Sequence, residues 1–218
     1  MVMAKRIVFH GSDHILRTPL FGKGDPYSDY GVGFYTTFEK EKAALWASKY
    51  PSGGVINSYS VEEKGLRILD LSSVEEKEIM RWVSLLLLHR FTAAQLEELG
   101  EVVDDIKQRY PVDLSSYDIV IGYRADDNYF NYAWSFMRNE ISFEKMSKAM
   151  RIGSLGRQYV LLSELAFTRI SFLAYERLPH SDSYQTFRKA TEEEYHRLIS
   201  ESSYKETFLR DIMKGAKI

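Results

Sequence analysis

Strand-type and helix-type segments follow one another in this chain without the regular strand–helix–strand alternation of a parallel sheet. Apolar alternation and clustering predict short strands at residues 6–9, 31–37, 55–61, 66–71, 117–122, 158–162 and 170–175. The turn-like residues 62–65 predict that 55–61 and 66–71 form a hairpin. We therefore expect an α+β fold and not a doubly wound parallel sheet.

Helical spacing of apolar residues predicts helices over 38–50, 73–110, up to 138, 142–150 and 191–214. The segment 73–110 is long enough for two helices, one of which contains a leucine run. Thr92 with Gln95, and Thr191 with Glu194, have the capping-box spacing. This spacing predicts that a helix begins after each threonine.

Composition limits the class of protein. A chain of 218 residues suits a main domain, taken as 1–178, followed by a helical C-terminal extension, 179–218. The absence of cysteine excludes disulfides, thiolate zinc sites and a cysteine nucleophile. The apolar run at 83–88 is far shorter than the roughly 20 residues of a membrane span, and the start lacks a signal-peptide pattern. We expect a cytoplasmic protein without a membrane partner.

The numbers of charged residues bear on the partners of the chain. Its 29 basic residues are balanced by 31 acidic ones, so the strong positive charge of general nucleic-acid binders is missing. General nucleic-acid binding is therefore not expected.

Two glycine motifs lie where predicted strands begin or end. His10-Gly11-Ser12 follows the first strand, and residues 29–37 (Asp-Tyr-Gly-Val-Gly-Phe-Tyr-Thr-Thr) contain the second. Each is weak by itself, because a His-Gly pair is often an ordinary turn and paired glycines often let a bent strand pack closely. Their order, followed by an alanine-rich helix at 43–47 and a late strand with Gln158, is far more specific.

This combination resembles the ADP-ribosyltransferase superfamily, in the branch with a histidine, a tyrosine and a third polar residue that includes diphtheria toxin and the poly(ADP-ribose) polymerases. Residues 5–178 more closely resemble an uncharacterised bacterial family placed in that superfamily. The resemblance implies a split β-sheet around an NAD cleft, with helical insertions and a C-terminal helix. It also implies that the protein transfers one ADP-ribose from NAD, its co-substrate, to a macromolecule, as bacterial toxins of this superfamily do.

The resemblance also implies roles for individual residues. Gly11 would offer its peptide N–H and C=O to the nicotinamide carboxamide, and His10 would hydrogen-bond a ribose hydroxyl. Tyr35 would stack on the nicotinamide ring. Ser12 and Thr37 would serve as secondary donors. No metal is expected.

Gln158 would be the third polar residue, at a position where the polymerases have glutamate. A neutral amide can hold a ribose hydroxyl, but it cannot stabilise a cationic sugar by charge or act as a general base. Chain elongation is therefore not expected, and single or slow transfer is. The alternative is a structural strand glutamine that faces solvent.

Three other carboxylates are candidate substitutes for the missing glutamate. Asp126 and Asp127 could supply the charge, but acids before a helix more often serve as an N-cap. Glu164 would share the face of Gln158 if the strand continued past Ser163. The histidines His14 and His89 lack partners at metal-ligand spacing.

The sequence does not identify the acceptor. A net charge near zero favours a protein over a nucleic acid, and a cognate antitoxin protein is a further partner implied by the superfamily resemblance. Two other functions stay open: an NAD-binding module that has lost turnover, and an NAD hydrolase with water as acceptor. The C-terminal helix is expected to pack on the body, to dimerise or to hold a partner.

Overall fold

A computed structural model of the protein describes residues 5–73, 75–125, 127–150, 156–201 and 206–215. Their strands are β1 (Lys5–Ser12), β2 (Phe34–Thr37), β3 (Gly54–Glu62), β4 (Ile68–Asp70), β5 (Ile119–Tyr123), β6 (Arg157–Leu161) and β7 (Ile170–Leu178). These strands form one sheet in the order β4-β5-β6-β2-β1-β3-β7. Neighbouring strands are antiparallel except for the parallel pair β4 and β5.

The helices in the same part of the chain are α1 (Lys40–Ala47), α2 (Glu76–His89), α3 (Ala93–Leu99), α4 (Val102–Arg109), α5 (Asp127–Met137), α6 (Phe143–Ala149), α7 (Glu164–Thr168), α8 (Ser183–Ser200) and α9 (Leu209–Met213). A 3₁₀ turn lies at Leu114–Ser116. Strands and helices are thus mixed, and the expected α+β class is confirmed, although the sequence did not predict α7 between β6 and β7.

Apolar cores cover both faces of the sheet. Since successive side chains of a strand point to opposite sides, one strand can contribute to both cores. Val120 and Val160 join a helical core that includes Leu86 of α2. Their neighbours Ile121 and Tyr159 join a second core on the other face. The leucine run predicted to be a buried helix lies in α2, and its side chains 85–87 are buried. No helix in the described ranges has the length and apolar character that a bilayer span requires.

The predicted hairpin between 55–61 and 66–71 is wrong. Strand β3 pairs with β1 on one side and with β7 on the other, so both of its edges are occupied. Strand β4 instead pairs with β5 in parallel. Alternation of apolar residues predicts a strand but not its partner, and the turn at 62–65 leads the chain away from β3.

The two predicted capping boxes have different outcomes. The one at Thr92 is confirmed. The Gln95 backbone N–H donates to Thr92 Oγ1 (3.3 Å), and the Thr92 backbone N–H donates to Gln95 Oε1 (3.0 Å). The one at Thr191 is wrong, because α8 already begins at Ser183. The Thr191 hydroxyl donates to the Arg188 carbonyl oxygen (2.8 Å) inside the helix. The segment 73–110 also holds three helices, α2 to α4, instead of two.

Strands β1 and β2 separate near the centre of the sheet. Strand β1 pairs with β3 along its whole length, and β2 pairs with β6 along its whole length. Strands β1 and β2 are joined by a single registered pair of residues, Phe9 with Thr37. Past this pair, Nδ1 of His10 lies 2.8 Å from the carbonyl oxygen of Tyr35. We call this opening the seam.

Candidate functional site

A cavity of about 500 Å³ lies at the seam. Its lining includes five of the six residues that the sequence singled out, namely His10, Gly11, Tyr35, Thr37 and Gln158. They come from β1, β2 and β6, which are neighbours in the sheet. Since adjacent strands lie about 4.8 Å apart, the strands of His10 and Gln158 are about 10 Å apart.

The His10 imidazole is fixed by a hydrogen bond across the seam. The Tyr35 carbonyl oxygen can only accept, so Nδ1 of His10 carries the hydrogen and donates to it. Burial lowers the pKa of His10, and the ring is therefore neutral at neutral pH. In this tautomer Nε2 has a lone pair and is an acceptor, and the ring packs against that of Phe34, with the ring centroids 4.8 Å apart.

We expect the free energy of unfolding to fall as the pH drops below 6.5, the ordinary pKa of histidine. In this range the unfolded chain binds a proton that the buried His10 does not, so protonation favours the unfolded state. Urea unfolding from about pH 7.5 to about pH 5 measures the effect.

His10→Gln should flatten this pH dependence. Burial also lowers the pKa of His89, so the part of the slope that belongs to His89 should remain in His10→Gln. That same part should be lost in His89→Gln. An unchanged slope in His10→Gln would show that the imidazole can become protonated in the folded protein.

The Tyr35 hydroxyl is held by the preceding loop. It donates to the Gly31 carbonyl oxygen (2.7 Å) and accepts from the Tyr30 N–H (3.0 Å). Gly31 has φ +70°, in the left-handed region that favours glycine, and its N–H donates to the Ser28 carbonyl oxygen (2.9 Å). Burial raises the pKa of Tyr35, so the phenol stays protonated. Tyr35 therefore offers the cavity a fixed ring and not a proton donor.

The amide oxygen of Gln158 is buried and has no hydrogen-bond partner within the described residues. Buried polar atoms are nearly always paired, so this unpaired acceptor is a departure from ordinary packing in a residue that lines the cavity. In the sheet Gln158 lies between Thr37 of β2 and Gly122 of β5. This amide oxygen does not face solvent as the structural alternative assumed.

Gly11 and Ser12 have roles within the fold. A Cβ on Gly11 would lie 2.2 Å from the Ala43 carbonyl oxygen and 2.9 Å from the Ala47 nitrogen, so α1 requires a glycine here. The Ser12 hydroxyl donates to the His14 carbonyl oxygen (2.6 Å) and accepts from Asn57 Nδ2 (2.9 Å). Ser12 does not line the cavity, and its predicted role as a donor to the ligand has no support in this geometry.

Basic residues outnumber acidic ones in the described part of the cavity lining. The basic residues among its described members are Lys42, Lys49, Arg90, Arg124 and Arg157. Among the described lining residues the one acidic residue is Asp29. Its Oδ2 accepts from the Ala125 N–H (2.8 Å), and its Oδ1 lies 3.7 Å from Arg90 Nε. A concave surface with this surplus of cations attracts anionic ligands.

The sequence alone does not indicate this group of cations, because a net charge near zero averages over the whole surface. One signal was present: Lys42 and Trp46 share one face of α1, and Lys49 follows three residues later, just beyond the end of the helix. The arginines come from separate elements, and only the tertiary fold brings them together.

Of the three substitute carboxylates, only Glu164 has a side chain within the described part of the structure. Asp126 lies outside the described residues, and Asp127 is the first residue of α5. The predicted common face of Glu164 and Gln158 is wrong, since β6 ends at Leu161 and Ser163 caps α7 by accepting from the Ala166 N–H (3.1 Å). Within the described ranges, no group of three or more metal-ligating side chains was found.

Comparison with known proteins identifies a family. The family model for DUF3990, described as a protein of unknown function, matches residues 6–172, which is more than half of the chain. No curated protein and no solved structure matches. All six predicted site residues lie inside the matched segment, whereas α8 lies outside it. The chain therefore belongs to the DUF3990 family.

Proposed function

We propose that this protein binds NAD in the cavity at the seam and transfers one ADP-ribose to a macromolecule, with release of nicotinamide, as the resemblance to ADP-ribosyltransferases implies. One observation carries the proposal: His10, Tyr35 and Gln158, from three neighbouring strands, line the same cavity, and Gln158 has a buried acceptor without a partner among the described residues. The split sheet implied by the resemblance agrees with the single pair that joins β1 to β2.

Each of these residues suits one part of NAD. The fixed ring of Tyr35 is a flat surface for the nicotinamide ring. Nε2 of His10 and Oε1 of Gln158 are acceptors for ribose hydroxyls. The surplus of cations matches the negative diphosphate of the dinucleotide.

NAD supplies the ADP-ribosyl group: its nicotinamide–ribose bond breaks, nicotinamide leaves with the electron pair, and the ribose carbon bonds to an acceptor atom that loses its proton. Positive charge grows on the ribose during this exchange. Gln158 can orient the sugar but cannot take the proton, because an amide is not a base at neutral pH. This limits the proposed activity to single transfer.

A labelling experiment tests the function. Purified protein is incubated with adenine-labelled NAD, with and without cell lysate, and free nicotinamide and macromolecular label are measured. Label on protein together with free nicotinamide supports transfer. Free nicotinamide without label indicates a hydrolase, and saturable NAD binding without release leaves a binding module. We also propose a protein acceptor, because the net charge is near zero, and, on the resemblance alone, a cognate antitoxin.

Gln158→Ala should lower kcat for nicotinamide release about tenfold to a hundredfold, because a contact to the charged sugar is lost. Gln158→Glu should raise kcat, since a carboxylate stabilises positive charge better than an amide does. The measurement is nicotinamide release at saturating NAD. Gln108→Ala on α4, an exposed glutamine outside the cavity, is the matched control. Wild-type kcat in Gln158→Ala would remove Gln158 from the reaction.

A further inference from the structure

Two cations of the cavity lie against the same indole ring. Lys49 Nζ is 3.4 Å from the centroid of the Trp46 ring, and Arg124 Cζ is 3.7 Å from it. Trp46 and Lys49 come from α1 and the residues just after it, whereas Arg124 follows β5 directly. All three line the cavity. The indole thus brings together cations from two distant parts of the chain.

This arrangement differs from a pair of surface cations. A cation over an aromatic face is attracted by the ring, and the flat guanidinium stacks especially well. The contact restricts the long side chains before any ligand arrives, so less conformational entropy is lost on binding. Because both cations are close to van der Waals contact with the ring centroid, they lie on opposite faces of the indole, and each can donate charge-assisted hydrogen bonds to one of two linked phosphates.

A residue of helix α8 supports the indole from its edge. The ring centroids of Tyr184 and Trp46 are 5.5 Å apart, with an interplanar angle of 88°. Tyr184 is buried and lines the cavity. One turn further along α8, Phe187 lies under Lys42, whose Nζ is 5.7 Å from the ring centroid. Two aromatic residues of α8 therefore contact the cavity face of α1.

We propose that Lys49 and Arg124, held on Trp46, form a subsite for the diphosphate of a dinucleotide, and that Tyr184 of α8 completes it as a positioning residue. This subsite rests on the proposed function, because it takes NAD as the natural ligand. It adds that the helix beyond the family-matched segment, residues 6–172, belongs to the binding site.

ADP is the probe, because it has the diphosphate but no nicotinamide, and adenosine is the probe without phosphate. Calorimetry on the full chain should show that Arg124→Gln raises the Kd of ADP about tenfold or more and leaves adenosine binding unchanged. Arg177→Gln is the matched control: Arg177 also lies over an aromatic ring, Tyr175, at 5.9 Å, but it does not line the cavity. Equal losses in both variants, or no loss in Arg124→Gln, would overturn the subsite.

Variants of the aromatic residues test the positioning role. Trp46→Leu should weaken ADP binding about tenfold although it removes no charge, because the cations lose their platform. Tyr184→Ala should raise KM for NAD more than it lowers kcat, and Tyr184→Phe, which keeps the ring, should restore it. A Tyr184→Ala protein with wild-type ADP affinity would exclude α8 from the site.

The subsite and the proposed function can fail separately. If ADP binds with the expected variant pattern but NAD yields no nicotinamide, the subsite stands and the transferase does not. If NAD yields both free nicotinamide and labelled protein while Arg124→Gln keeps the wild-type KM for NAD, the transferase stands and the subsite does not.

Discussion

Tyr35→Ala should reduce nicotinamide release from NAD by about a hundredfold or more. Stacking of a ring on an aromatic side chain is worth about 1–3 kcal/mol, and this ring is also the surface that orients the leaving group. The hydroxyl of Tyr35 is engaged by Gly31 and Tyr30, so the ring is the part of the side chain that meets a ligand. The measurement is kcat/KM for nicotinamide release.

Tyr35→Phe separates the ring from the hydroxyl. It removes the two hydrogen bonds to the loop and should lower the free energy of unfolding by about 1–2 kcal/mol. Nicotinamide release should stay within a few-fold of the wild-type value, because the ring remains. If Tyr35→Phe were as inactive as Tyr35→Ala, the hydroxyl and not the ring would be the essential group.

Gly11→Ala should destabilise the protein by about 1–3 kcal/mol and weaken NAD binding at the same time. The new Cβ would meet backbone atoms of Ala43 and Ala47, so helix α1 must shift as a unit. The same helix carries Lys42 and Trp46 to the cavity, and their positions shift with it. Thermal unfolding and NAD calorimetry measure the two effects.

Gly65→Ala is the control for a general loss of stability. Gly65 has φ +81°, and a Cβ added there would meet no atom within 4 Å, so only backbone strain of about 1–2 kcal/mol is expected. NAD binding should be unchanged in this variant. If Gly11→Ala kept both its stability and its NAD affinity, the contact between β1 and α1 would be more adaptable than the distances indicate.

Local patterns in the sequence predicted local structure well. The Thr92 capping box is a contact between residues three apart, and it forms as expected. Strand positions follow from apolar alternation, but strand partners do not, so the pairing of β4 with β5 was missed. The spacing at Thr191 has the same form as that at Thr92, yet α8 continues through it, since buried side chains before it, such as Tyr184, extend the helix.

The candidate site divides in the same way. The motifs predicted five residues that line one cavity. These residues come from β1, β2 and β6, which are neighbours in the sheet. Ser12 was included by its position beside Gly11, but its hydroxyl is engaged by His14 and Asn57 within the fold. Arg124 and Tyr184 were missed, since nothing in the sequence near either residue indicates that both contact Trp46.

The seam has a consequence for how this protein can evolve. A full ladder between β1 and β2 would add backbone hydrogen bonds and stiffen the sheet, but it would close the seam. Selection for thermal robustness and selection for an accessible pocket therefore act in opposite directions on the same few peptide groups. The line along which the sheet is least tightly joined is the line that a bound molecule would bridge.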